Sequence, residues 1–409
     1  MSESGGGAAP PVVAWIERDT ATDRETDTAT ATATDRDTDT GMATVLIESR
    51  IRGTVVGLDP AGAVVLSVGD PTAVISPRST VKPMQAVGML LAGLDAAFGS
   101  GAGAASRATA VSGAGDPASG VGDSGSGDPD RGAASERGDG IPSELLAIVS
   151  SSHSGEPEQL AAVRAVLAAA GRGEDALACP ADLPIGRLAH ERHLAAGGGP
   201  ERLLMNCSGK HAGMIATCVA AGWPVAGYTD PAHPLQRRIR AVIEELTGAT
   251  ITSTAVDGCG APLFGIPLLG LARGMREIAL AAAGPRSPRQ RVAAAMRAFP
   301  ALIGGPGRPD TELMLAAPWI IAKDGAEGVT VAATAAGYAV AVKIEDGSQR
   351  AAMPVLVTAL RRIGALDPTP GPGAAVGLDA GRLDALAAPA VLGGGVPVGR
   401  LRPFLPSAS

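Results

Sequence analysis

The sequence predicts an α+β protein: one antiparallel sheet assembled from both ends of the chain, with helices packed against it. Three observations carry this. Strand-like runs Gly53 to Leu58 and Ala63 to Val68 flank Asp59-Pro60-Ala61-Gly62, whose proline and glycine suit a hairpin turn. Near the other end, Gly328 to Ala333 and Tyr338 to Ile344 flank Ala335-Ala336-Gly337 in the same way. Between the hairpins the apolar period lengthens from two to about 3.6. It is clearest over Pro234 to Thr247, where Leu235, Ile239, Val242, Ile243 and Leu246 form one core-facing stripe that Gly248 closes.

The elements follow in order. Residues 1–41 run through Gly, Ala and a Thr/Asp/Arg alternation with almost no branched apolar side chains, so the entropy of ordering them goes unopposed. A disordered low-complexity tail is expected there, and Met42, directly ahead of the first strand-like run, is an alternative start. A single catalytic domain is expected over 42–406. After the first hairpin and the Pro77-Arg78 turn, Lys82 to Leu94 reads as a helix. A second low-complexity stretch, about Gly99 to Gly140, reads as a disordered insertion in a surface loop. Leu145 to Val149 is expected as a short buried strand or apolar run leading into Ser150-Ser151-Ser152-His153. Pro157 to Ala170 is a helix with proline in its first turn and Gly171 beyond its end. Ser208 is expected to cap a helix to Ala221, which Gly222 and Pro224 stop. A last helix runs from about Arg350 to Gly364, after the second hairpin.

At 409 residues and 45% hydrophobic content the chain can bury a full core, although Ala, Gly and Pro inflate both figures. The net charge of -7, with no basic cluster interleaved with aromatics, argues against a nucleic-acid partner and for a small molecule. Cys179, Cys207, Cys218 and Cys259 show neither a dense disulfide framework nor CxxC spacing, so a reducing compartment is expected. The first residues lack a signal-peptide pattern and charges interrupt every apolar run, which points to the cytoplasm.

Lys82, Lys210, Lys323 and Lys343 are the only lysines among 34 Lys and Arg residues. A composition that writes surface cations as arginine leaves lysine where the amine must lose its proton, which guanidinium does not do. Ser79-Thr80-Val81-Lys82 places a hydroxyl and an amine on one face of a helix start, the minimum Ser-Lys nucleophile. Ser152 is a second serine candidate. His153 beside it is a poor base for Ser152, because neighbours on an extended chain point to opposite sides, and no GxSxG elbow is present. Cys207 and Lys210 stand three apart at a helix start, and Cys259 lies in the turn Asp257-Gly258-Cys259-Gly260. Two thiolates with a neutral amine or a water can hold zinc tetrahedrally, whereas Cys179 and Cys218 read as ordinary buried cysteines. A phosphate-binding P-loop is excluded, since Leu204 stands at its first glycine and His211 follows the lysine.

Together, Ser79-Thr80-Val81-Lys82-Pro83, Ser151-Ser152-His153, Asn206-Cys207-Ser208-Gly209-Lys210-His211-Ala212-Gly213-Met214, Asp257-Gly258-Cys259 and Lys343-Ile344-Glu345-Asp346-Gly347 resemble the L-asparaginase II family, the rhizobial-type asparaginases. The resemblance runs from about Val45 to Arg362. It implies a serine β-lactamase-like fold, hydrolysis of L-asparagine to L-aspartate and ammonia, and a homodimer. By motif, Ser79 with Lys82 and Ser152 with Lys323 match the family's two Ser-Lys pairs, and Cys207, Lys210 and Cys259 match its ligands for one zinc ion. Arg78, His153, Asn206 and Asp257, in the same motifs, are substrate-binding candidates, and Arg308 is a candidate partner for the substrate carboxylate. Two other readings use the same residues. A β-lactamase or peptidase shares SxxK, but its Ser-Asp-Asn and Lys-Thr-Gly strings are absent. A non-catalytic zinc or metabolite-binding protein of this fold would release no ammonia.

Overall fold

A computed structural model of the chain describes residues 9–18, 46–99, 140–280, 287–367 and 377–405. Its centre is an eight-stranded antiparallel sheet. We number its strands β1 (Val12–Arg18), β2 (Leu46–Leu58), β3 (Val64–Val68), β4 (Ile320–Asp324), β5 (Val329–Thr334), β6 (Ala339–Ile344), β7 (Ala390–Gly393) and β8 (Val396–Pro403). The order is β7-β8-β1-β2-β6-β5-β4, with β3 also beside β2. As the two hairpins imply, strands from both ends of the chain build one sheet.

β2 is the hinge of this arrangement. Its first half pairs with β1 and its second half, Gly53 to Leu58, with β6. Gly53 sits where the strand changes partners, and a Cβ there would lie 2.6 Å from the Lys343 backbone oxygen. Only glycine admits so close an approach.

One expectation is overturned here. The N-terminal segment read as a disordered tail contains β1, which is bonded to β2 on one side and β8 on the other. The sequence Val12-Val13-Ala14-Trp15-Ile16 is a short apolar run, and Val13 and Ala14 are fully buried. The bulk composition of residues 1–41 hid it. The expected insertion at about 99–140 lies almost entirely outside the described residues.

The Val- and Ala-rich strands β5 and β6 are buried along nearly their whole length, so both faces of the sheet are covered there. Helices Leu268–Leu280 and Ala352–Arg362 pack on them. A helical cluster adjoins the sheet, formed by α1 (Lys82–Leu91), α2 (Ser143–Val149), α3 (Pro157–Ala169), α4 (Ser208–Ala220) and α5 (Pro234–Thr247). Residues Lys82 to Leu90 of α1 are all buried. Gly88 lets α5 close in, since a Cβ there would stand 3.3 Å from the Ile239 Cα. The interior position of α1 carries the amine of Lys82 out of water.

Two local expectations change. Leu145 to Val149 is the body of helix α2 rather than a strand. Five apolar residues in a row fit either element when both sides are buried, and only the neighbours decide. Cys207, not Ser208, occupies the N-cap position of α4, and the Ser208 hydroxyl instead donates to the Leu203 carbonyl at 2.8 Å. Among the described residues no helix is long and apolar enough to cross a membrane.

Candidate active site

A cavity of about 370 Å³ opens between the helical cluster and the end of the sheet. Ser79, Ser152, Asn206, Arg308, Asp324, Thr330 and Gln349 supply the polar part of its wall. Ser79 stands in the 3-10 turn Arg78–Val81 ahead of α1, and Ser152 in the loop leaving α2. Asn206 precedes α4, Arg308 occupies the N-cap position of helix Pro309–Ala316, and Asp324 ends β4. Arg78 has φ 52, a left-handed backbone that a non-glycine residue adopts only when held there. The hold is an ion pair of its Nε with Asp257 Oδ1 at 2.7 Å. These two substrate-binding candidates therefore engage each other, and neither is among the cavity-lining residues.

Lys82 Nζ lies 2.9 Å from Ser152 Oγ and donates to the Ser151 carbonyl at 2.6 Å. Burial pushes its pKa down, and the charges of Lys210 and Lys323 push the same way against the opposing influence of Cys207. A neutral amine can donate to the carbonyl and accept the Ser152 proton. The serine hydroxyl that Lys82 holds is thus Ser152 rather than Ser79, three residues before it.

Lys323 is differently placed. Its Nζ donates to Asp310 Oδ2 at 2.8 Å, Asp324 Oδ1 at 2.7 Å and the Asp324 carbonyl at 2.9 Å. Three acceptors exhaust the three N–H bonds of an ammonium and leave no lone pair for a serine proton. Burial opposes the charge, but Asp310 and Asp324 outweigh it and raise the pKa. The expected Ser152–Lys323 pair is replaced by a buried cluster in which Arg308 Nη2 also holds Asp324 Oδ2, at 2.8 Å. Burial and the neighbouring Asp324 raise the Asp310 pKa, while Lys323 and Arg308 hold Asp324 ionised against its own burial.

The three expected metal ligands do converge. Lys210 Nζ is 2.9 Å from Cys259 Sγ, and both cysteines are buried. Hydrogen bonding from Cys207 depresses the Cys259 pKa, aided by Lys210 and His211, and the same contact raises that of Cys207. His211 Nδ1 pairs with Tyr228 Oη at 2.7 Å, leaving Nε2 an orphaned buried nitrogen beside Cys259. Two sulfurs and an amine fit zinc chemistry. Among the described residues no three His, Cys, Asp or Glu side chains form a metal cluster, so the set depends on Lys210 as its third donor.

His153 is fully buried, its Nε2 2.8 Å from Ser208 Oγ, and burial lowers its pKa to about 3. It is a neutral structural partner of α4, not a cavity residue. Lys343 donates to the Glu327 carbonyl in the turn between β4 and β5. Sequence reasoning missed Asp310 and Asp324 as site residues. An acidic residue in a first helical turn reads as an ordinary helix-dipole partner, and only the fold shows that Asp310 reaches Lys323.

A family model described as L-asparaginase II matches residues 44–117 and 132–403. The chain belongs to the L-asparaginase II family. Membership implies an amidohydrolase acting on a small-molecule amide. The interruption at 118–131 falls inside the low-complexity segment, and β1 precedes the first matched residue. No curated protein matches the chain.

Proposed function

We propose that the protein hydrolyses L-asparagine to L-aspartate and ammonia through an acyl-enzyme on a lysine-activated serine. The observation that carries this is the buried Lys82 amine within hydrogen-bond reach of Ser152, in a cavity that Ser79 also lines. Ser79 attacks the side-chain amide carbon, its proton passing to Ser152 Oγ as the Ser152 proton passes to Lys82. The relay returns a proton to the departing nitrogen, the C–N bond breaks and ammonia leaves. Water then attacks the aspartyl ester by the same route and frees Ser79. Catalytic hydrogen bonds often tighten only with substrate bound, which this relay requires of Ser79 and Ser152.

Arg308 receives the α-carboxylate and Asn206 orients the amide. Lys323 acts as a fixed cation behind the cavity wall rather than as a second base. Cys207, Lys210 and Cys259 would hold zinc, which when bound would supply a Lewis-acidic centre next to the cavity. Arg78 and Asp257 join the Ser79 turn to the Cys259 turn, so their role is to position both.

We further read the architecture as serine β-lactamase-like, supported by the two-ended antiparallel sheet, helices on both faces and SxxK at the start of a buried helix. A homodimer and a cytoplasmic location complete the reading. The test is ammonia release from L-asparagine, with mass spectrometry of the quenched enzyme. An acyl adduct is expected on Ser79. An adduct on Ser152 would make that residue the nucleophile, and no ammonia would favour the non-catalytic reading.

A further inference from the structure

Among the described residues lining the cavity, Arg308 and Asp324 are the only charged ones. They stand side by side, with Arg308 Nη2 2.8 Å from Asp324 Oδ2. Behind them Asp324 Oδ1 is held by Lys323, and Lys323 by the fully buried Asp310. With all four ionised, the cluster is two cations and two anions and formally neutral. Arg308 is not exhausted by its ion pair, since its buried Nε meets no hydrogen-bond acceptor.

We propose that Asp324 is the acceptor for the substrate's α-ammonium group and that Arg308 and Asp324 together form a clasp for an amino-acid zwitterion. The inference rests on the amidohydrolase reading and adds the determinant of substrate choice. An α-amino acid carries one positive and one negative charge on a single carbon. Entering between Arg308 and Asp324, it replaces one ion pair by two and leaves the net charge of the wall unchanged. A ligand bearing only one of these charges leaves a partly buried partner uncompensated, which is the costly outcome in a low-dielectric site. Lys323 keeps Asp324 in place when Arg308 turns toward the carboxylate, and Asp310 offsets the buried Lys323 charge from behind without touching the clasp.

The experiment uses the full chain and two truncated analogues. Succinamate has hydrogen where asparagine has its ammonium, and 3-aminopropanamide lacks the carboxylate. Each is expected to compete with asparagine at least about 10-fold more weakly than asparagine binds, the scale of a lost charge-assisted hydrogen bond. In Asp324→Asn the KM for asparagine should rise at least about 10-fold while the Ki of succinamate moves less than about 3-fold. Asp310→Asn, which does not face the cavity, should lower stability but keep the preference for asparagine over succinamate.

Wild-type protein that binds succinamate as tightly as asparagine overturns the proposal, as does Asp324→Asn weakening both equally or Asp310→Asn erasing the preference. Calorimetry with L-aspartate against succinate reads the same clasp without turnover. Discrimination there with no ammonia released from asparagine would keep the clasp and reject the amidohydrolase. Ammonia release without discrimination would do the reverse.

Discussion

A variant that begins at Met42 should be markedly less stable, because it loses a strand from inside the sheet. β1 is bonded on both sides, so its removal unpairs the first half of β2 and most of β8. Val13 is fully buried and Ile16 is 8% exposed. At about 1.5–3 kcal/mol for each buried branched side chain, these two contribute roughly 3–6 kcal/mol before any backbone pairing is counted. The lower half of that range is expected, since an unfolded chain already buries part of its apolar surface. Against a total of about 5–15 kcal/mol for a folded protein, even 3 kcal/mol is a large share. The loss also strands Arg400 and Arg402, which meet the Glu17 carboxylate across the β1–β8 pairing. Thermal unfolding followed by circular dichroism should show Tm lower by roughly 6–9 °C, at about 2 °C per kcal/mol for a chain of this size. Val13→Asp in the full-length chain should reproduce most of the shift without changing chain length. A Met42 variant melting within about 2 °C of the full chain would refute the account of β1 as a structural strand.

Lys82→Arg keeps a cation but removes the base, and asparagine hydrolysis should fall roughly 10²–10⁴-fold with folding retained. Because burial lowers the Lys82 pKa, the rising limb of the pH–rate profile should lie below the value of about 10.4 for a free lysine. Lys323→Met should act on stability first: it leaves the buried Asp310 without a cation and Asp324 with Arg308 alone, costing about 3–5 kcal/mol by denaturant titration. Asp324 is held ionised by Lys323 and Arg308 with its pKa below the ordinary value, so its contribution is complete above about pH 4 and is lost as pH falls through the folded value. Asp324→Asn should therefore flatten the acid limb of stability, and an unchanged limb would count against the cluster. Metal analysis should find about one zinc per chain, reduced in Cys207→Ser and Cys259→Ser but not in Cys179→Ser or Cys218→Ser. Equal loss in all four would reject the site.

Much of the site was legible because its chemistry is carried by rare letters. Four lysines, one asparagine and four cysteines stand out against an Ala-, Gly- and Arg-rich background, and the structure gathers Lys82, Asn206, Cys207, Lys210 and Cys259 around one region. Hairpins announced themselves through turn residues, and Gly62 with φ 86 closes the first as its sequence implies. What could not be read was who meets whom. Lys82 lies three residues from Ser79 but bonds Ser152, 70 positions away. Lys323 reads as a base in isolation, and only the approach of Asp310 reveals a saturated ammonium. β1 was lost for a simpler reason, as seven residues of strand were averaged with a long polar tract.

The seam between β1 and β8 has a consequence for how the protein comes into being. Ile16 faces Leu401 across it, so partners in the same ladder emerge from the ribosome nearly a whole chain length apart. Until the last strand is released, β1 presents an open edge, and the β2–β6 pairing also waits for residues beyond 338. Nascent chains are thus left with adhesive strand edges through most of their synthesis, the condition under which aggregation competes with folding and chaperones are recruited.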